Sequence, residues 1–331
     1  MNIKANNFID SVYQLYEKIS PLVYNTPLVQ SSLGRGNIFL KCENLQQTNS
    51  FKYRGALSAI LSYKLYEPKN WEHILQDGIV TYSTGNFAKA LAKISKQYNL
   101  KLTVIVHEWI DERKLTDVIV NNSKTKIIHT SLEEWQKIVI AGAYPETPGF
   151  FISSFNQYVN LGNATIGLEI LQQFPEIEAI IIPYGSGSLT YSIASFLKHF
   201  KPNLDIYTAE SSSGAPFFTS FKIGKNSSVA YRKTFVDGIG SSFVIPEHFK
   251  RIKPYIKDAI TVTPDQIANT VVQLAMEDKL VVEGAGAASV AAALHYGINQ
   301  SCCCILTGGG IQQSVLLNLF ENFYYERAEH E

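Results

Sequence analysis

Four short segments of the 331-residue chain carry residue types that can do chemistry. In the first, Gln47-Thr48-Asn49-Ser50-Phe51-Lys52-Tyr53-Arg54-Gly55-Ala56, a polar loop delivers a lysine to the start of a helix. A lysine amine condenses with aldehydes once its ammonium form is disfavoured, and a helix N-terminus and Arg54 both act in that direction. Taken alone, the same residues also describe a solvated lysine on a surface helix. The second segment, Ser83-Thr84-Gly85-Asn86-Phe87, follows a strand and opens a helix. Its hydroxyls, glycine and helix-end N–H groups suit a carboxylate or phosphate, and suit a plain N-cap equally well. The third, Gly185-Ser186-Gly187-Ser188-Leu189, has the strand–turn–helix arrangement that binds phosphate through backbone N–H groups. A dinucleotide fingerprint, with Glu210 ending the next strand, needs a third glycine where Thr190 stands, and no P-loop motif occurs. In the fourth, Leu306-Thr307-Gly308-Gly309-Gly310, a hydroxyl and a glycine run end an apolar strand, so the backbone passes close to something flat or bulky. Glu283 introduces one more helix, rich in small residues, where the helix dipole alone also favours a carboxylate.

Positioning these segments requires strands that end where helices begin. Apolar β-branched runs predict strands at Ile38–Lys41, Ile79–Tyr82, Leu102–Val106, Thr125–Ile128, Ala179–Ile182, Asp205–Ala209 and Cys303–Leu306. Helical stretches such as Asn86–Tyr98, Leu132–Ala143, Leu161–Phe174 and Leu189–Phe200 lie between them. Several runs are apolar without alternation, as in strands covered on both faces, and the rhythm is that of a parallel sheet wrapped by helices. Turn-formers at 145–149 and a break between Gly55 and Trp71 bound a small insertion. Residues Ser211–Arg232 read as a long irregular excursion. There is no repeat signature.

Composition removes whole classes of function. Lys+Arg and Asp+Glu both number 29, so the formal net charge is +0. A nucleic-acid binder or polybasic membrane protein needs an excess of Lys and Arg, so neither partner is expected. Hydrophobic residues at 46% and charged residues at 18% suit a buried core. The four cysteines, Cys42 and the run Cys302-Cys303-Cys304, lack metal-ligand spacing and read as reduced, buried small hydrophobes in a cytoplasmic protein. The N-terminal residues lack a signal-peptide h-region, and no stretch approaches the length of a membrane span, so a soluble protein is expected.

All four segments sit at strand C-termini or helix N-termini, where open α/β sheets place ligands. A cofactor with an aldehyde, a phosphate and an aromatic nitrogen would use each of them, and pyridoxal 5′-phosphate is such a cofactor. On these motifs, with Thr208-Ala209-Glu210, Val236-Asp237-Gly238-Ile239 and Glu283-Gly284-Ala285-Gly286-Ala287-Ala288, the chain resembles the fold-type II pyridoxal-phosphate enzymes. It is most similar to the threonine/serine dehydratase and serine racemase branch, from Tyr24-Asn25-Thr26-Pro27-Leu28 to Thr307-Gly308-Gly309-Gly310. The resemblance implies an α/β fold of two open, mostly parallel twisted sheets flanked by helices, like the tryptophan synthase β chain. Residues 1–50 and 150–331 would form a large cofactor-binding domain. Residues 51–149 would form a small inserted domain moving over the cleft that holds the cofactor.

By the same resemblance Lys52 is the Schiff-base lysine and proton carrier, and Phe51 and Gly238 sandwich the ring. Asn86 bonds the ring hydroxyl, Gly185, Ser186, Gly187, Ser188 and Leu189 hold the phosphate, and Thr307 faces the ring nitrogen. Glu283 joins the cofactor set. Ser83, Thr84, Gly85, Asn86 and Phe87 hold the substrate carboxylate, with Thr84 also a catalytic candidate. A neutral hydroxyl at Thr307 leaves the ring nitrogen largely unprotonated, which suits α,β-elimination of threonine or serine to a 2-oxo acid and ammonia. The alternatives are racemisation, for which a hydroxyl at Thr84 is the relevant feature, and β-replacement on another β-substituted amino acid. The chain departs from the branch at Asn49 (usually Gly), Phe87 (commonly His), Ser186 and Ser188 (commonly Gly) and Gly310 (usually Asn). Glu210 is retained from the branch's divalent-cation pair, but Pro216 stands where its Asp belongs, so no metal is expected. A small amino-acid substrate and a homodimer complete the expectation.

Overall fold

The computed structural model describes residues 8–83, 85–108, 110, 112–144 and 146–328, with the side chains of all but 112–114 and 324–328. The elements run α1 (Phe8–Ile19), β1 (Leu28–Gln30), β2 (Ile38–Lys41), α2 (Lys52–Tyr66), α3 (Pro68–Asp77), β3 (Ile79–Tyr82), α4 (Asn86–Gln97), β4 (Leu102–His107), α5 (Glu112–Asn121), β5 (Lys126–Thr130), α6 (Leu132–Ala141) and β6 (Phe150–Phe151). They continue α7 (Gln157–Gln173), β7 (Ala179–Pro183), α8 (Ser188–Phe200), β8 (Asp205–Ser211), α9 (Pro216–Ile223), α10 (Pro246–Ile252), β9 (Asp258–Val262), α11 (Pro264–Met276), α12 (Gly284–Tyr296), β10 (Cys302–Ile305) and α13 (Gln313–Ala328). The chain divides into two compact units, Met1–Val23 with Lys52–Thr165, and Tyr24–Phe51 with Ile166–Glu331. Helix α1 and residues 150–165 therefore group with the inserted segment, a wider division than the expected 51–149.

The unit containing residues 24–51 and 166–331 is built on a six-stranded sheet in the order β1-β2-β10-β7-β8-β9. Only β1 is antiparallel; the other pairings are parallel. Strand β10, the cysteine run, lies inside the sheet with every residue buried, which is why its sequence does not alternate. All four thiols are free and buried. Burial pushes the Cys42 thiol up to about 12 and raises that of Cys303, so both behave as small apolar groups. Helix α12 packs against β7 and β10 with a face of Ala287, Ala288 and Ala291, part of the same core as Leu40, Ile181, Cys302 and Cys304. Besides the short edge strands, the structure adds two elements to the sequence reading. Strand β9 extends the sheet, and the stretch expected to be irregular from Ser211 to Arg232 contains α9, started by Pro216 at its first helical position.

The other unit has four parallel strands in the order β5-β4-β3-β6, with Val80, Tyr82, Ile105 and Ile138 at the centre of one cluster. Helix α2 packs on α4, with Lys93 Nζ 5.6 Å from the Tyr53 ring centre. It also meets the N-terminal half of α7 at two glycines. A Cβ on Gly55 would lie 2.7 Å from Val159 Cγ1, and one on Gly162 would lie 2.5 Å from the Arg54 carbonyl oxygen and 2.5 Å from Ser58 Cβ. The backbones approach too closely there for any side chain. Gly162→Ala should lower stability by about 1–3 kcal/mol, since overpacking against a carbonyl outweighs the roughly 1 kcal/mol gain in helix propensity. Urea unfolding of the variant and wild type measures this, and an unchanged midpoint would contradict it.

Candidate active site

Every candidate cofactor residue in the larger unit belongs to one chain of contacts. The Phe51 N–H donates to the Thr307 carbonyl at 3.1 Å, and the Ser50 hydroxyl donates to the same oxygen at 3.2 Å. Ser50 also bridges to Gly308, and the Gly309 N–H donates to the Asn49 carbonyl at 2.9 Å. The loop that leads into Lys52 is thus sewn to the strand end that carries Thr307. The Glu283 N–H donates to the Gly308 carbonyl at 2.9 Å, and a Cβ on Gly286 would lie 3.0 Å from that oxygen. A Cβ on Gly238 would lie 2.8 Å from Ala285 Cβ and 3.5 Å from a Glu283 carboxylate oxygen, and one on Gly185 would lie 3.2 Å from the Gly238 carbonyl oxygen. The small residues after Glu283 are therefore required because α12 abuts both the strand end and the 236–238 loop.

The lysine loop explains one departure from the resemblance. Thr48 and Asn49 have φ of 58° and 56°, the left-handed region. Glycine suits such a position, and asparagine is among the few other residues that visit it at modest cost. Lys52 is the first residue of α2, whose first turn holds no acidic residue. Arg54 turns away into its own unit, fully buried, with one guanidinium nitrogen 3.4 Å from the Thr165 hydroxyl.

At the end of β10 the Thr307 side chain is 5% exposed, and its hydroxyl has no hydrogen-bond partner among the described residues. A buried hydroxyl left unpaired costs about 1–3 kcal/mol, so this atom points to a group that completes it. The loop between β7 and α8 turns at Gly187, φ +89°, where a Cβ would lie 2.6 Å from Ile252 Cδ1. Helix α8 begins at Ser188 behind the Gly187 N-cap, and a helix N-terminus offers N–H groups of the kind that suit a phosphate. An unpaired hydroxyl for a ring nitrogen and a glycine cradle for a phosphate both fit pyridoxal phosphate.

In the other unit, β3 delivers Ser83 to the start of α4. The Ser83 hydroxyl oxygen accepts the Gly85 and Ala88 N–H groups, both at 3.3 Å. A hydroxyl has two lone pairs and one proton, so a Ser83 committed as acceptor to α4 keeps its proton for an anion. The N-cap and the carboxylate cradle are thus compatible at this residue. Gly85 has an extended φ of −161°, and a Cβ there would meet nothing within 4 Å. Asn86 opens the helix, and Phe87 is 3% exposed, packed inward rather than offered to a ligand. Thr84 lies outside the described residues. Gly85→Ala should leave stability within about 0.5 kcal/mol. If the loop binds the substrate carboxylate, KM should rise roughly tenfold or more through a blocked N–H contact. Initial-rate kinetics with unfolding curves separate the two effects.

Glu210 does not present a cation ligand. Its carboxylate, 1% exposed, accepts the Phe217 N–H at 3.2 Å and the Phe218 N–H at 2.6 Å, closing the first turn of α9 behind Pro216. Burial pushes this carboxyl up to about 8 against the opposing pull of the two N–H donors. Among the described residues no group of three or more His, Cys, Asp or Glu side chains could hold a metal ion. No described helix is long and apolar enough to cross a membrane. Two residues of α10 that the sequence did not mark, His248 and Ile252, touch the Gly185–Leu189 loop.

Fold, lysine loop, glycine cradle and unpaired strand-end hydroxyl define a pyridoxal-phosphate enzyme of the fold-type II kind. The chain belongs to the family of pyridoxal-phosphate dependent enzymes, which matches residues 19–308. It is similar to an L-threonine ammonia-lyase of Thermotoga maritima, 26% identical over 93% of this chain and 77% of that protein. An L-threonine ammonia-lyase of Geobacter sulfurreducens is 30% identical over 83% of this chain and 67% of its own length. Among solved structures, maize serine racemase superposes with a TM-score of 0.82 at 26% identity, covering 97% of this chain and 98% of that one.

Proposed function

We propose that this chain is a threonine/serine ammonia-lyase, a carbon–nitrogen lyase that eliminates water from L-threonine or L-serine, the released unsaturated amine then taking up water to give a 2-oxo acid and ammonia. The observation that carries this is the buried, unpaired Thr307 hydroxyl at the end of β10, a neutral partner where a carboxylate would hold the ring nitrogen protonated. Bound pyridoxal phosphate supplies an aldehyde that condenses with amines and a ring that withdraws electrons from the substrate α-carbon. The first turn of α8 with Gly185, Ser186 and Gly187 would hold its phosphate, Phe51 and Gly238 its ring faces, and Glu283 the wall beside Gly238. Asn86 would meet the ring hydroxyl. The Ser83 proton and the N–H groups at Asn86 and Phe87 would orient the substrate carboxylate, with Gly85 leaving room for it and Thr84 beside them. Lys52 Nζ takes the α-proton as general base and, as ammonium, returns a proton to the departing β-hydroxyl, which leaves as water.

The test incubates holoenzyme with L-threonine and L-serine and follows 2-oxo acid, ammonia and D-serine together. Stoichiometric 2-oxo acid and ammonia are expected. D-serine as the main product would favour the racemase reading, which rests on the likeness to maize serine racemase. No turnover of any β-substituted amino acid would reject both. Thr307→Val should leave apoprotein stability unchanged or slightly raised, since the hydroxyl it removes has no protein partner, while weakening the cofactor roughly tenfold. Absorbance titration of the apoprotein reads the second effect and thermal unfolding the first.

The assembly we propose is a cytoplasmic homodimer. Reduced buried thiols support the compartment. Tyr24, Leu45 and Val281, 59%, 47% and 48% exposed, are apolar side chains on segments that bond one another through Gln46 and Asn44, and they support the second copy. Sedimentation equilibrium distinguishes dimer from monomer.

A further inference from the structure

Helix α10 reaches the Gly185–Leu189 loop with two side chains one helical turn apart. His248 Nδ1 lies 2.9 Å from the Ser186 carbonyl oxygen, and Ile252 Cδ1 occupies the space a Cβ on Gly187 would need. His248 is 9% exposed, and burial pushes its imidazole down to about 4, so the ring is neutral at physiological pH. A carbonyl oxygen only accepts, so Nδ1 carries the proton and donates it. In a planar trans peptide the C=O and N–H point to opposite sides. Holding the Ser186 oxygen toward α10 therefore aims the Gly187 N–H away from α10, in the direction the loop needs to meet a phosphate. Ile252, filling the space beside Gly187, keeps that peptide from rotating back.

We infer that His248 is a positioning residue for cofactor phosphate, acting through the Ser186–Gly187 peptide. This rests on the reading that the Gly185–Leu189 loop binds that phosphate. Neither the residue type nor its place in the sequence marks it, because the interaction joins residues 62 apart.

Two probes separate the effect from general damage: pyridoxal phosphate, and pyridoxal, which has the same ring and aldehyde but no phosphate. Each is titrated into full-length apoprotein. His248→Leu should weaken pyridoxal phosphate about tenfold, the worth of one directed hydrogen bond, and leave pyridoxal unchanged. His248→Asn, whose side-chain nitrogen takes the place of Nδ1, should recover affinity to within about threefold. If the Leu variant does not fold, as judged by thermal unfolding of the apoprotein, His248→Gln, with its nitrogen one atom further out, replaces it with the same expectation. Equal losses for both probes, an unchanged affinity for pyridoxal phosphate, or a folded Asn variant no better than Leu would overturn the inference. A wild type that binds both probes equally would instead remove the phosphate reading beneath it.

Discussion

Lys52→Ala should give a protein that folds, lacks the yellow imine absorption of the wild type, and turns over L-threonine at least about 10³-fold more slowly, since it removes covalent attachment and general-base catalysis together. Folding should survive because the loop that leads to Lys52 is held by backbone atoms and the Ser50 hydroxyl. The Phe51 N–H and the Ser50 hydroxyl are fastened to the Thr307 carbonyl, and Asn49 accepts the Gly309 N–H. None of these contacts uses the lysine side chain. Borohydride should fix the cofactor covalently to the wild type and leave the Ala variant unlabelled, which mass spectrometry of the intact chain reads directly. Unchanged colour and cofactor retention in Lys52→Ala would remove the whole assignment, whatever the relatives do.

Seven of the strands are legible in the sequence: β3, β7 and β10 because every residue is buried and the run is largely apolar, and the others, including the more exposed β5, because they are rich in β-branched residues. β3 and β2 occupy the predicted residues without a shift, and β10 is offset by one. β1 and β6 are not legible because three and two residues of edge strand make no pattern. Within the site, legibility follows residue type. Lys52, Thr307 and the glycines stand out in combination, because each alone has a plain structural reading and only together do they match one cofactor. His248 and Gly162 are invisible, since each depends on a partner far along the chain, and the capping role of Glu210 is invisible because it needs the loop after β8 to fold back onto the strand end. Asn49 shows a middle case. It reads as a departure in sequence, and its φ of 56° then explains why asparagine can stand where the resemblance implies glycine.

The second large effect concerns stability beneath the site. Lys41 ends β2, and its ammonium, with no exposed surface, donates to the Glu169 carboxylate at 2.6 Å, the Thr26 carbonyl at 2.7 Å and the Gln173 side chain at 3.0 Å. Glu169 is equally buried. Three well-placed acceptors match the three donors of the ammonium, which is the condition for tolerating a buried charge. Lys41→Met removes the cation from beside the fully buried Glu169 side chain, and should cost about 3–5 kcal/mol. Lys41→Met with Glu169→Leu removes both charges at similar volume and should recover most of that loss, because the desolvation cost disappears with the pair. Denaturant unfolding of wild type, single and double variants measures both quantities, and a single variant within about 1 kcal/mol of wild type would refute the argument. The site itself should outlive the exchange. The Leu306 N–H, one residue before Thr307, donates to the Lys41 backbone carbonyl at 3.0 Å, a contact that no side-chain substitution touches. The double variant should therefore bind pyridoxal phosphate as the wild type does, separating what holds the sheet together from what places Thr307.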